Sequence, residues 1–100
     1  MSAAAIDTLE RFSPLVGDDR FELQLDDGSA CSAALVEAKA LPAPVFQGRQ
    51  PFSLLFEGPP QPLLPQRIYR ISHPQLDAMH IFLVPVGRSQ SATQYEAIFN

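Results

Sequence analysis

The sequence predicts a mainly β domain: a six-stranded antiparallel meander that forms a small barrel or a two-layer sandwich, with one short N-terminal helix. From residue 20 onward, apolar and polar residues alternate with a period of two, which is typical of half-buried strands. Residues typical of turns separate these runs, so the links between strands are short. One hundred residues, 46% of them apolar, are enough for one modest core and therefore a single domain.

The only helical pattern lies near the start of the chain, where we expect a short helix over about residues 6–12. Asp7 and Glu10 have the spacing of a capping box, and Pro14 stops the helix after two turns at most. Its apolar positions are Ile6, Leu9 and Phe12. A single apolar face on so short a helix indicates a plug over one open end of the core.

Six strands are expected at about residues 20–26, 29–41, 51–57, 67–73, 79–86 and 93–99. In the first hairpin, a three-residue loop with Gly28 in the left-handed conformation pairs Leu23 with Cys31 and places Cys31 on the core face. A two-residue turn would instead direct Cys31 outward. We favour the first register because it sets small side chains opposite large ones.

Residues 59–66, Pro-Pro-Gln-Pro-Leu-Leu-Pro-Gln, separate the third and fourth strands and are called the proline segment below. With Arg67 they contain the P-x-x-P-x-R pattern of an SH3-domain ligand, which requires a free segment in the polyproline II conformation. Proline also lowers the entropy cost of ordering a connection and cannot donate a ladder hydrogen bond. We therefore interpret the segment as a stiff connector, with Leu63 and Leu64 folded back onto the strands.

The charge distribution argues against nucleic acid and anionic membranes as partners. The net charge is −4, the pI is near 4.9, and the seven Lys and Arg residues are scattered. The first residues lack the features of a signal peptide, and the longest apolar run, residues 81–86, is too short to span a bilayer. The single cysteine allows no intramolecular disulfide, which fits a reducing compartment. We expect a cytoplasmic protein.

Few residues are candidates for metal binding or catalysis. His73, Asp77 and His80 are acceptable metal ligands, but strand parity places the two histidines on opposite faces of one hairpin. Cys31 has no local cation or helix N-terminus that would activate its thiol. We therefore expect no metal, no cofactor and no catalytic residue, and we predict that the protein is not an enzyme.

The fifth strand is unusual because both of its faces are apolar. If Ile81 and Leu83 point inward, the opposite face is either covered by the helix and the proline segment or meets another molecule. Pro85 requires an edge position or a β-bulge in this strand. The candidate interaction residues on the outward face are Phe82, Val84 and Val86, with Ile98 on the closing strand.

Several segments of the chain carry a family resemblance in combination. They are FSPLVG (12–17), PFSLLFEGPP (51–60), LLPQ (63–66), YRISHP (69–74), FLVPVG (82–87) and YEAIFN (95–100). Together they resemble a family of bacterial proteins of about this length that is described as a domain of unknown function. Members of that family tend to be encoded beside phage tail-collar-like proteins. The resemblance thus implies an accessory role in a tail-like assembly, and it transfers no functional residue.

Two hypotheses follow. The leading one is a non-catalytic structural or interaction module that binds a protein partner or a second copy of itself, with an accessory or assembly role in a phage-tail-like system. The alternative is a small-ligand-binding barrel or minor enzyme, whose site would lie near Tyr69, Arg70 and His73 at one rim.

Overall fold

The computed structural model describes residues 8–42 and 50–99, which form a closed barrel of six antiparallel strands with one short helix. Of the two predicted forms, the barrel is the correct one. The elements are α1 (Leu9–Phe12), a 3-10 helix (Ser13–Leu15), β1 (Phe21–Gln24), β2 (Ala30–Ala40), β3 (Phe52–Gly58), β4 (Arg67–His73), β5 (Leu76–Arg88) and β6 (Thr93–Phe99).

The order of the strands around the barrel is β1-β2-β3-β6-β5-β4. Each half of the chain is a meander, as predicted, but β3 does not pair with β4, so the six strands do not form one continuous meander. The three strands β1-β2-β3 close against β4-β5-β6 through the β3–β6 and β1–β4 pairs. The proline segment carries the chain from one half to the other, and it is long enough to cross where a tight turn would force β3 and β4 to pair.

The fourth and sixth strands begin and end at the predicted residues, whereas the fifth is longer than predicted. β5 begins at Leu76 rather than at residue 79, because Pro74 and Gln75 alone form the turn of the β4–β5 hairpin. The β4–β5 register shifts within the added residues, and the predicted parity holds from Met79 onward. Ile81 and Leu83 are buried in the core, as expected.

The first hairpin has the predicted register. Leu23 lies opposite Cys31, and Gly28 has a φ of 88°, the left-handed conformation that a three-residue loop needs. The N–H of Leu25 donates a hydrogen bond of 2.9 Å to the carbonyl of Ser29. The turn therefore begins at Leu25, which is why β1 is shorter than the predicted residues 20–26.

The inner faces of the strands form one continuous apolar core. Its fully buried large side chains are Phe12, Phe21, Phe52, Phe56, Leu23, Leu35, Leu54, Ile71 and Leu83. In a barrel of this size the strands' own side chains fill the interior. Surface-exposed groups are therefore the place to look for function.

The short helix covers one end of the barrel, as predicted. Phe12 is fully buried, and its ring centroid lies 5.9 Å from those of Phe52 and Phe99 at the ends of β3 and β6. The helix begins at Leu9 and has Thr8 as its N-cap residue. The predicted contributions of Ile6 and Asp7 lie outside the described residues.

The proline segment is packed against the barrel, which supports its interpretation as a connector. Leu64 is buried, and its N–H donates to the hydroxyl of Tyr95 at 3.0 Å, while the hydroxyl of Tyr69 donates to the carbonyl of Pro65 at 2.6 Å. Leu63 was expected to fold back in the same way, but it is 49% exposed. Adjacent residues of an extended segment point to opposite sides, so only one of the two leucines reaches the core.

Each of the two long strands contains a β-bulge against its neighbour. The register of β2 against β3 shifts at Val36, and that of β5 against β6 shifts at Val86. The bulge next to Pro85 was one of the two predicted solutions for that residue. The other, an edge position, does not apply to β5, which has a paired strand on each side.

Candidate interaction surface

An apolar cluster lies on the outside of the second half of the barrel. Ile68 on β4 is directly opposite Phe82 on β5, and both point outward, with 61% and 51% of their surface exposed. Val84 on β5 is opposite Glu96 on β6. Because the strands are antiparallel, Ile98 lies two residues beyond Glu96 on the side where Phe82 lies. We call Ile68, Phe82, Val84 and Ile98 the outer apolar face.

The structure places three of the four predicted interaction residues on this face and separates the fourth from it. Phe82 and Ile98 are about half exposed, and Val84 is half-buried between its neighbours. Val86 is also exposed, but it is the extra residue of the bulge and has no partner in the β5–β6 ladder. Its side chain therefore belongs to the edge of the surface rather than to its centre.

Ile68 is the most exposed residue of the outer apolar face and was missed by the sequence analysis. A signal for it was present. The inward parity of Tyr69 and Ile71 directs Ile68 outward. Its pairing with Phe82 does not follow from the two-residue turn alone, because the β4–β5 register also shifts by one residue between Ile71 and His73.

The outer apolar face has basic residues at one end and an acidic residue at the other. Arg70 and His80 form the cross-strand pair next to Ile68 and Phe82, at one end of the face. Glu96 lies at the other end, beside Val84. In the described parts of the chain, neither the Arg70 nor the Glu96 side chain takes part in a hydrogen bond or ion pair. These two charges are therefore free to meet an outside partner.

The inward residues of β5 hold the outer apolar face in place. Ile81 and Leu83, on either side of Phe82 in the chain, are 4% and 0% exposed. Since successive side chains of a strand point to opposite faces, this burial fixes the outward direction of Phe82. The surface is therefore part of a paired and anchored strand and not of a loop.

The three residues of the alternative ligand site do not converge. Tyr69 points into the barrel, where burial raises the pKa of its hydroxyl, and that hydroxyl is occupied by the carbonyl of Pro65. Arg70 points outward, as the next residue of the same strand must. His73 is buried at the far end of β4.

His73 instead connects separate parts of the fold. Its Nδ1 accepts a hydrogen bond of 3.0 Å from the N–H of Gln75, and its Nε2 lies 3.1 Å from a carboxylate oxygen of Asp18. The latter contact has the distance of an ion pair without the alignment of a hydrogen bond. The ring of Phe21 covers the imidazole at 4.5 Å. With the side chain only 1% exposed, neither nitrogen faces solvent as a general base would need to.

Asp18 is the centre of this connection. It accepts hydrogen bonds from both the backbone N–H and the guanidinium of Arg20, and these bonds hold the pKa of its carboxyl well below the usual range. A surface depression of about 580 Å³ lies beside the cluster and is open to solvent. The Arg20 hydrogen bonds of Asp18 are local, and its contact with His73 joins the segment before β1 to the end of β4.

The predicted metal ligands lie where strand parity places them. His73 is buried and His80 is exposed, on opposite faces of the β4–β5 hairpin. Within residues 8–42 and 50–99, no three or more His, Cys, Asp or Glu side chains are grouped so that they could hold a metal ion. Burial raises the pKa of the Cys31 thiol, which lowers its reactivity as a nucleophile. The described helices include none of the length and apolar character needed to cross a membrane.

Fold and surface together define the class of protein: a small closed β-barrel with a filled interior and an apolar outer face bordered by charges. The chain belongs to the family described as "Domain of unknown function (DUF6916)", whose model matches residues 8–99. No curated protein and no solved structure matches it significantly.

Proposed function

We propose that this protein is a non-enzymatic interaction module, in which the barrel is a rigid scaffold and the outer apolar face binds an apolar protein surface. The exposure of Ile68, Phe82 and Ile98 side by side on three paired strands is the observation that carries this proposal. Scattered apolar residues are normal on a protein surface, whereas a contiguous cluster marks a binding site.

The energetics favour such binding. Removing a half-exposed Phe or Ile side chain from water contributes about 1 kcal/mol, which is about half of the value for burying the whole side chain. Three such side chains held on strands lose little conformational freedom when a partner covers them, because the barrel already orders their backbone. Aromatic residues such as Phe82 are also enriched at the centres of protein interfaces.

The charges favour a protein as the partner rather than nucleic acid. Arg20 and Arg67 are held in ion pairs with Asp18 and Asp26, and the net charge of the chain is −4. Neutralising a phosphate backbone needs several cations that are free to contact it, and these two are already paired with carboxylates. A cytoplasmic location and an accessory role in a phage-tail-like assembly are consistent with this proposal and form its proposed setting.

A site-specific cross-linking experiment in cells of the source organism tests the proposal. A photo-reactive phenylalanine analogue replaces Phe82 in one variant and Val36 in a control. Val36 is also exposed, but it lies on β2, on the opposite side of the barrel. We expect an adduct of defined mass from position 82 and none from position 36.

Specific docking has a second requirement. Adding Ile68→Glu to the variant with the analogue at position 82 should remove the adduct, because it places a charge in the middle of the contact. Equal yields at the two positions, no adduct at all, or an adduct that survives Ile68→Glu would each refute the proposed surface.

A further inference from the structure

We propose that the occupant of the outer apolar face is a second copy of this chain, so that two barrels pack face to face about a two-fold axis. This inference rests on the proposed function and names its partner. It is carried by the order of three rows of outward side chains across β4, β5 and β6.

The three rows are basic, apolar and acidic in turn. Arg70 and His80 form the first row, Ile68 and Phe82 the second, and Glu96 lies in the third beside Val84. Along β5 the first and third rows are each two residues from Phe82, so they lie at similar distances on its two sides. The surface thus has opposite charges arranged symmetrically about an apolar centre.

With a two-fold axis through the apolar centre, the surface of one copy is complementary to the same surface of the other copy. The axis lies in the interface and exchanges the two sides, so that Arg70 of one copy faces Glu96 of the other, and the reverse. Such an interface is isologous, and every favourable contact in it is made twice. A partner of uniform charge would instead leave one of the two rows unmatched.

Pairing Arg70 of one copy with Glu96 of the other would also break no existing ion pair of either residue. Within the described chain, the side chains of Arg70 and Glu96 have no hydrogen bond or ion pair, in contrast to Arg67, which is paired with Asp26. An arginine that is already paired would have to exchange one carboxylate for another and would gain little. For Arg70 and Glu96, the contact between copies adds a charge pair to each side of the apolar centre.

The size of the surface sets the expected strength. A stable interface buries about 800 Å² on each partner, which is roughly an eighth of the 6108 Å² surface of this chain. The four side chains of the outer apolar face cannot supply this area alone, so the charged rows must be part of the contact. We expect a dimer that dissociates in the micromolar range, about 1–100 µM.

Sedimentation of the purified full chain over a wide concentration range provides the first test. The wild type should change from monomer to dimer, and Phe82→Glu should weaken the dimer by at least about 30-fold, since it places a charge at the centre of the contact. The control Val36→Glu, on the opposite side of the barrel, should dimerise like the wild type.

A charge exchange provides the second test, which a purely apolar contact would not pass. Arg70→Glu and Glu96→Arg should each weaken the dimer by about tenfold, because each turns two attractive pairs into repulsive ones. The double variant restores opposite charges across the axis and should dimerise nearly as well as the wild type. Circular dichroism would verify that each variant is folded.

The possible results separate this inference from the proposed function. A wild type that stays monomeric up to about 500 µM, well above the expected range, would overturn self-association. Dimerisation without rescue by the double variant would overturn the arrangement of charges. In either case, a Phe82 adduct of foreign mass in the cross-linking experiment would leave the interaction module standing. Absence of that adduct would refute the proposed interaction module as well.

Discussion

The two long strands β2 and β5 lie on opposite sides of the barrel and have the same structural role, yet their outer faces differ. Each is the middle strand of its half, and each has a bulge, at Val36 or Val86. The outward residues of β2 near its bulge include Glu37 and Lys39, whereas β5 presents Phe82. The same architecture is therefore built with a polar outer face on one side and an apolar one on the other.

This difference shows that the fold requires apolar side chains on the inner faces of the middle strands and does not require them on the outer faces. If a middle strand of this barrel required an apolar outer face, β2 would not present Glu37 and Lys39 beside its exposed Val36. The charged residues of β2 show that the barrel closes without such a face, because the inner faces supply the core. The apolar residues outside β5 thus call for an explanation beyond folding, and an intermolecular contact provides one.

The largest effect should come from the inner faces, where the two strands are equivalent. Leu35 on β2 and Leu83 on β5 are both fully buried. Replacing either one by Ala should lower the free energy of unfolding by about 3 kcal/mol, through lost burial and the cavity left behind. Urea denaturation measures this directly. A cost below about 1 kcal/mol at one of the two positions would break the equivalence of the two halves.

A smaller effect is expected in the proline segment that joins the halves. Leu64→Ala should cost about 2–3 kcal/mol because its side chain is buried, and the matched change Leu63→Ala should cost less than about 1 kcal/mol. The melting temperatures of the two variants, measured by thermal denaturation, test this difference in stability. Equal melting temperatures would contradict the packed connector, and binding of the wild type to SH3 domains would favour a docking peptide.

The contact between Asp18 and its donors should appear as a dependence of stability on pH. The folded-state pKa of Asp18 is lowered from 3.8, so its stabilisation is present above that pH and is lost as the pH falls through the folded value. Asp18→Asn should therefore be less stable than the wild type at pH 7, and its stability should fall less below about pH 4.

Denaturation of the wild type and of Asp18→Asn at pH values between 7 and 2 measures this difference in stability. Asp19→Asn is the matched control, since Asp19 carries the same charge next in the chain but accepts none of the Arg20 hydrogen bonds described for Asp18. Parallel stability curves for the wild type and Asp18→Asn would show that the Arg20 hydrogen bonds of the Asp18 carboxylate do not stabilise the fold.

The smallest effect on stability should come from the outer faces. At concentrations where the chain is monomeric, Phe82→Ser and Val36→Ser should each change the free energy of unfolding by less than about 1 kcal/mol. Chemical denaturation at low micromolar protein provides the measurement. If Phe82→Ser instead cost as much as Leu83→Ala, Phe82 would belong to the core and the proposed surface would not exist.

The sequence alone determined the local features of this protein. Alternation with a period of two, and a continuous apolar run in the fifth strand, located the six strands. The parity of Ile81 and Leu83 directed Phe82 outward, because successive side chains of a strand must point to opposite faces. The register of the first hairpin followed from one turn, since Gly28 can adopt a positive φ without strain. These features depend only on neighbouring residues.

Only the tertiary structure decided how distant parts meet. The pairing of β3 with β6 and of β1 with β4 joins residues far apart in the chain, and no local pattern encodes which strands become neighbours. The same holds for Ile68, whose place beside Phe82 depends on a register shift close to the β4–β5 turn, and for Asp18 beside His73. The alternating rows of charge around the outer apolar face appeared only once three strands were aligned, because a row across a sheet is formed by register and not by sequence order.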